Sequence, residues 1–145
     1  MSIGSKEEIM AKVAVVYWSG TGNTESMAKA VAKGANADLF TSDEFSASKL
    51  SNYDVVAFGC PAMGGEELED SSFAPMYEGL KAGLSGKKVF LFGSYDWGDG
   101  EWMRLWEQDI RESGANVVEE SVIVNLTPDD GQLASLAAIG EKLKA

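Results

Sequence analysis

Six consecutive residues, Ser19-Gly20-Thr21-Gly22-Asn23-Thr24, could hold an anion without a single positive charge. The glycines let successive N–H groups point into one concavity, and a helix starting there adds partial positive charge. Ser19, Thr21 and Thr24 offer hydroxyl donors, and Asn23 offers an amide. No Lys or Arg lies between Lys12 and Lys29, so neutral donors must carry the interaction. Each hydrogen bond to a charged group contributes ~1.5–3 kcal/mol net, so four or five support sub-micromolar binding. Competing phosphate motifs fail. A dinucleotide fingerprint has Glu25 where its third glycine belongs, and the Gly-Lys-Ser/Thr ending of a P-loop is absent. Taken alone, the six residues could still be a tight strand–helix turn.

Two other segments carry chemical groups. Cys60 to Ser72 is Gly-rich and then acidic, and Ser94 to Gly100 is rich in Gly, aromatic residues and Asp. Within the first, Met63-Gly64-Gly65-Glu66 has Gly at both central positions of a turn. Type II turns want Gly at the third position and type II′ at the second, so the central peptide could turn over at little steric cost. The chain has no His, which excludes Ser-His-Asp and Cys-His catalysis and every His-containing metal site. The lone Cys60 forms no internal disulfide, which fits a reducing compartment such as the cytoplasm. Chemistry here must come from a bound cofactor, or from carboxylates and hydroxyls alone.

The elements that would position these segments alternate along the chain. Val13 to Tyr17 reads as a strand buried on both faces, and Met27, Ala28, Val31 and Ala32 mark a helix that Gly34 should stop. Asp38 to Thr41 is a short strand, and Asp54 to Gly59 and Lys88 to Phe92 are central ones. Phe73, Met76, Tyr77, Leu80 and Leu84 form one helical face; Trp102, Leu105, Trp106 and Ile110 form another. Asn116 to Asn125 carries a strand interrupted at Glu119-Glu120-Ser121. Thr127-Pro128-Asp129 opens a last helix whose Leu133, Leu136, Ala137, Gly140 and Leu143 face inward. The expected fold is α/β: a single-domain, doubly wound, five-stranded parallel sheet with helices on both faces. Ligands of such sheets bind beyond the carboxyl ends of the strands, so the three segments should converge.

Composition narrows the function. The chain has 145 residues, with 12 Lys+Arg against 23 Asp+Glu and a net charge of −11. That length suits one domain, assigned to residues 10–145, with 1–9 read as an N-terminal extension. The acidic balance argues against nucleic acid, and no apolar run approaches a membrane span.

Tyr17-Trp-Ser-Gly-Thr-Gly-Asn-Thr-Glu25 resembles the phosphate-binding loop of flavodoxins. The likeness continues in Gly59-Cys-Pro-Ala-Met-Gly-Gly-Glu-Glu-Leu-Glu-Asp70 and in Phe92-Gly-Ser-Tyr-Asp-Trp-Gly-Asp-Gly-Glu-Trp-Met103. It spans nearly everything from Met10 to Ala145 and is most similar to the short-chain clostridial type, which lacks an insertion in the last strand. The resemblance implies strand order 2-1-3-4-5 and non-covalent FMN. The cofactor would be held by Ser19, Gly20, Thr21, Gly22, Asn23 and Thr24, by Ala62, Met63, Gly64, Gly65 and Glu66, and by Ser94, Tyr95, Asp96, Trp97 and Gly98. Trp97 would stack on one ring face, Met63 would cover the other, and Glu66 would accept from the flavin N3–H. The Gly64 carbonyl would turn toward the flavin N5–H on reduction. Family members often carry a side chain where this chain has Gly65, which leaves the resting conformer of that turn open. Glu66, Glu67, Glu69, Asp70, Asp96, Asp99 and Glu101 would ring the flavin and disfavour an anionic reduced state.

The implied function is a low-potential one-electron carrier cycling FMN between semiquinone and hydroquinone. It would act as a monomer that docks on redox proteins with basic patches, oxidoreductases normally served by ferredoxin. The alternative is an NAD(P)H-dependent FMN or quinone reductase of the same fold, for which Arg104 and Arg111 are the only candidate phosphate ligands. A phosphoacceptor receiver domain would need acids where the first strand ends in Tyr17-Trp18-Ser19.

Overall fold

The architecture comes from a computed structural model, which describes residues 10–145. The reading of 1–9 as an extension lies outside the described residues. Strands β1 (Val13–Tyr17) and β3 (Val55–Gly59) are buried at every position, as their unbroken apolar sequences require. Strand β2 (Asp38–Thr41) flanks β1, and β4 (Lys88–Tyr95) flanks β3. Two short strands, β5 (Asn116–Val117) and β6 (Val122–Asn125), both pair with β4. All pairings are parallel, in the order β2-β1-β3-β4-β5, with Val13 opposite Val55 and Val55 opposite Lys88. The expected interrupted fifth strand is thus β5 and β6 in succession along one edge. The pairing of Phe92–Tyr95 with Val122–Asn125 carries β4 beyond the expected end at Phe92.

Successive strand residues face opposite sides, so the sheet has two cores. Ala14, Val16, Phe58 and Leu91 face the side covered by helices α2 (Ala47–Leu50), α3 (Phe73–Leu80) and α4 (Glu101–Glu112). Val15, Ala57, Phe90 and Phe92 face α1 (Asn23–Ala35) and α5 (Asp130–Lys144). Gly34 does not stop α1. The helix runs on to Ala35 and ends at Asn36, whose φ is 50°. A Cβ at Gly34 would collide with the Ala137 carbonyl, and one at Gly140 with that of Val31. These glycines therefore let α1 and α5 touch backbone to backbone.

Other boundaries shift for local reasons. A 3-10 turn over Lys81–Gly83 follows α3, and Leu84 remains buried beyond it. Pro128 precedes α5 rather than opening it. Asp129 caps that helix by accepting from the Gln132 N–H at 2.7 Å. Leu105, read as part of the inward stripe of α4, is exposed, and Met103 is buried in its stead. No helix among the described residues is long and apolar enough to cross a membrane.

Candidate functional site

Three loops leave the carboxyl ends of β1, β3 and β4, and the first begins as an extension of sheet pairing. The Trp18 N–H donates to the Gly59 carbonyl at 3.0 Å. The chain then turns sharply through Gly22, whose φ of 96° favours glycine, and α1 starts at Asn23. The Ser19 hydroxyl accepts from the Gly22 N–H at 3.1 Å, and the Thr21 hydroxyl from the Asn23 N–H at 3.3 Å. The last residue, Thr24, is buried. Its Oγ1 lies 2.8 Å from the Ser94 hydroxyl and accepts from the Ser94 N–H at 3.3 Å. The first loop is therefore tied to β4 by two hydroxyls and one amide.

The second loop is pinned at both ends. The Ala62 N–H donates to the Ser94 carbonyl, and Met63 and Glu67 exchange N–H···O bonds of 2.8 and 2.9 Å. Gly64, Gly65 and Glu66 form the tip between them. Gly64 has φ 44° and Glu66 has φ 59°, whereas Gly65 stays outside the left-handed region. The Glu66 carboxylate lies over Gly98 and accepts from the Glu101 N–H at 3.1 Å, at the positive end of α4. At the far end of the loop, the buried Glu69 carboxylate accepts from the N–H groups of Ser71, Ser72 and Phe73 at 2.8–2.9 Å, and from the Ser71 hydroxyl. Burial would raise its pKa. The Ser71 hydroxyl and the three amides outweigh burial and hold the carboxyl below its usual value. The Glu69 carboxylate thus caps the start of α3. Cys60 is buried beneath this loop, and burial pushes its thiol far up, so it is no nucleophile.

The third loop carries Asp96, Trp97 and Gly98 into solvent, with Trp97 59% exposed. Behind it, Tyr95 packs at 5.6 Å from Trp102, and the Trp102 indole N–H donates to the Cys60 carbonyl at 3.1 Å. Arg104 pairs with Asp99, and Arg111 with Glu107.

The loops enclose a cleft of about 240 Å³. Gly20, Thr21 and Asn23 line it from the first loop, Ala62 and Met63 from the second, and Ser94, Tyr95 and Asp96 from the third. Of the remaining sequence-predicted residues, Ser19, Gly22 and Thr24 brace the first loop, while Gly64, Gly65, Glu66, Trp97 and Gly98 lie outside the lining. Trp18, Pro61 and Leu126 line the cleft as well and were not predicted. Trp18 adjoins the first predicted loop and Pro61 lies within the second. Leu126 lies just after β6, and the signal for it was that this, too, is a carboxyl-end loop. Neutral donors beside apolar and aromatic walls suit an anion carrying a flat apolar group, which is the chemistry of FMN. Among the described residues no cluster of His, Cys, Asp or Glu could hold a metal.

The comparisons with known proteins agree. The Flavodoxin family model matches residues 15–139. The chain is 47% identical over 123 residues to a flavodoxin of Megasphaera elsdenii, covering 81% of this chain and 89% of that protein. It is 46% identical to a flavodoxin of Clostridium beijerinckii with the same coverage. The solution structure of two-electron reduced Megasphaera elsdenii flavodoxin superposes with a TM-score of 0.82 at 42% identity, covering 90% of this chain and 98% of that one. An archaeal flavodoxin superposes with the same TM-score at 25% identity, covering 92% and 96%. The chain belongs to the flavodoxin family, of the short-chain clostridial type, and is an FMN-binding electron-transfer protein rather than an enzyme.

Proposed function

We propose that the chain carries single electrons at low potential, holding FMN non-covalently in the cleft between its three loops. The observation that carries this reading is the convergence of neutral donors (Gly20, Thr21, Asn23) and apolar walls (Ala62, Met63, Tyr95) in one cleft. FMN supplies the one-electron chemistry when bound; the chain positions it and sets its energetics. The first loop holds the phosphate through its amides and hydroxyls without a cation. Met63 and Trp97 cover the flat group from two sides. Glu66 offers the carboxylate oxygen not engaged by the Glu101 N–H to a ring N–H. The Gly64 carbonyl would be the group to accept from the N–H that the ring gains on reduction.

Charge tunes the potential less uniformly than the sequence suggested. Glu69 is engaged by its four donors and Asp99 is paired with Arg104. Glu66, Glu67, Asp70, Asp96 and Glu101 make no ion pair among the described residues, so they are the carboxylates left to disfavour added negative charge. The net charge of −11 steers the protein, as a monomer in the cytoplasm, to basic patches on redox partners.

The test is a dithionite titration of the FMN-loaded protein under anaerobic conditions. A long-wavelength absorption band partway through reduction supports the reading. Direct bleaching from yellow to colourless overturns one-electron cycling, and rapid bleaching by NADPH alone overturns the carrier role.

A further inference from the structure

Leu126 combines three features that rarely coincide. Its φ is 61°, a conformation that costs a side-chain-bearing residue energy. Its side chain is 51% exposed although it is large and apolar. It also lines the cleft. The surrounding structure forces this geometry. The Leu126 N–H donates to the Tyr95 carbonyl at 2.7 Å, and the Asn125 amide donates to the same oxygen at 3.2 Å. Pro128 is buried two residues on, and Asp129 is fixed as the cap of α5. The chain is thus tied on both sides of Leu126.

A strained backbone that exposes an apolar side chain gains nothing for the empty protein. We infer that Leu126 is a cofactor-contact residue: the clamp on Tyr95 holds its side chain against the bound flavin nucleotide, shielding the apolar part of that group from water. This rests on the reading that the cleft takes FMN. It assigns the contact to the apolar part of the ligand, because the neutral donors for phosphate all come from the first loop.

The test compares Leu126→Gly and Leu126→Ala as apoproteins and in titrations with FMN and riboflavin. Both substitutions remove the contact, but only glycine relieves the strain. The L126G apoprotein should melt above L126A by about 3 °C, reversing the usual order of the two residues. Both variants should bind FMN and riboflavin about fivefold more weakly than the unsubstituted chain, by the same factor for each ligand. Affinities within twofold of the original overturn the inference, since the strain then serves no contact. A loss for FMN without a loss for riboflavin overturns it too, because the contact would be with phosphate. If L126G melts no higher than L126A, the strain argument falls. An unsubstituted chain that binds neither ligand overturns the flavin reading itself, an outcome distinct from all of these.

Discussion

The first and second loops leave neighbouring strands of one sheet, yet they are held in opposite ways. Ser19–Thr24 is braced along its whole length, by its own hydroxyls and then by the burial of Thr24 against Ser94. Cys60–Ser72 has a rigid foot, where Glu69 gathers the amides at the start of α3, and a tip whose Gly64 and Gly65 side meets no neighbour. A phosphate keeps its charge throughout a redox cycle, so fixed donors serve it best. A flavin ring changes its hydrogens and charge, so the loop beside it needs one mobile peptide on an immobile base.

Breaking the foot should have the largest effect. Glu69→Ala leaves three amides without their acceptor, of which that of Phe73 is buried, and should cost about 2 kcal/mol of stability, read from the urea midpoint. Glu69→Gln keeps an acceptor and should cost about half as much. The pH dependence has a definite sign. A carboxyl held below its ordinary 4.5 in the folded state contributes stability that is fully present above that pH. The contribution is lost as pH falls through the lowered folded value. The original chain should therefore lose stability more steeply below about pH 4.5 than Glu69→Gln, and parallel curves would show that Glu69 is not the group responsible.

Loosening the first loop should cost affinity and also some stability, because Thr24→Val leaves the buried Ser94 N–H without its acceptor. The Thr24 Oγ1 receives the Ser94 N–H, and when the Ser94 hydroxyl donates to it as well, its own hydrogen is left to point at the anion. Thr24→Val should weaken FMN binding about tenfold and riboflavin binding less than twofold. Ser94→Ala should weaken FMN binding similarly but have little further effect in the Thr24→Val background. Full additivity in that cycle would separate the two hydroxyls. Trp97, exposed in the ligand-free loop, comes next. Trp97→Ala should weaken FMN and riboflavin alike by about three- to tenfold, as loss of stacking alone predicts.

The fold was legible because buried parallel strands announce themselves as apolar runs, and Val13–Tyr17 and Val55–Gly59 do so with little ambiguity. Gly34 misled because a helix-stopping residue and a helix-crossing residue are the same residue. Only the carbonyl of Ala137, more than a hundred positions away, distinguishes them. The phosphate loop was legible as a string, since its donors are local. Glu69 was not, because an acid amid acids looks solvated until its amide partners are known. Leu126 was hidden for the same reason: neither its strain nor its cleft exists until β6 pairs with β4.

The smallest expected effect tests the tip most directly. A Cβ at Gly65 would meet nothing within 4 Å, and φ there lies outside the left-handed region, so the resting turn does not need glycine. Turning over the Gly64–Gly65 peptide changes ψ of Gly64 and φ of Gly65. With Gly64 already at positive φ, as in a type II′ turn, the turned-over state resembles type I′, which requires positive φ at both central residues. Gly65→Ala should therefore leave stability and the affinity for oxidised FMN within about 0.5 kcal/mol of the original. It should penalise the turned-over state by about 1 kcal/mol. Spectroelectrochemistry should then read the first one-electron midpoint potential about 40 mV more negative, by the conversion of 59 mV per ~1.4 kcal/mol for one electron. An unchanged potential with unchanged binding would mean that the peptide does not turn over, and that the second loop is as fixed as the first.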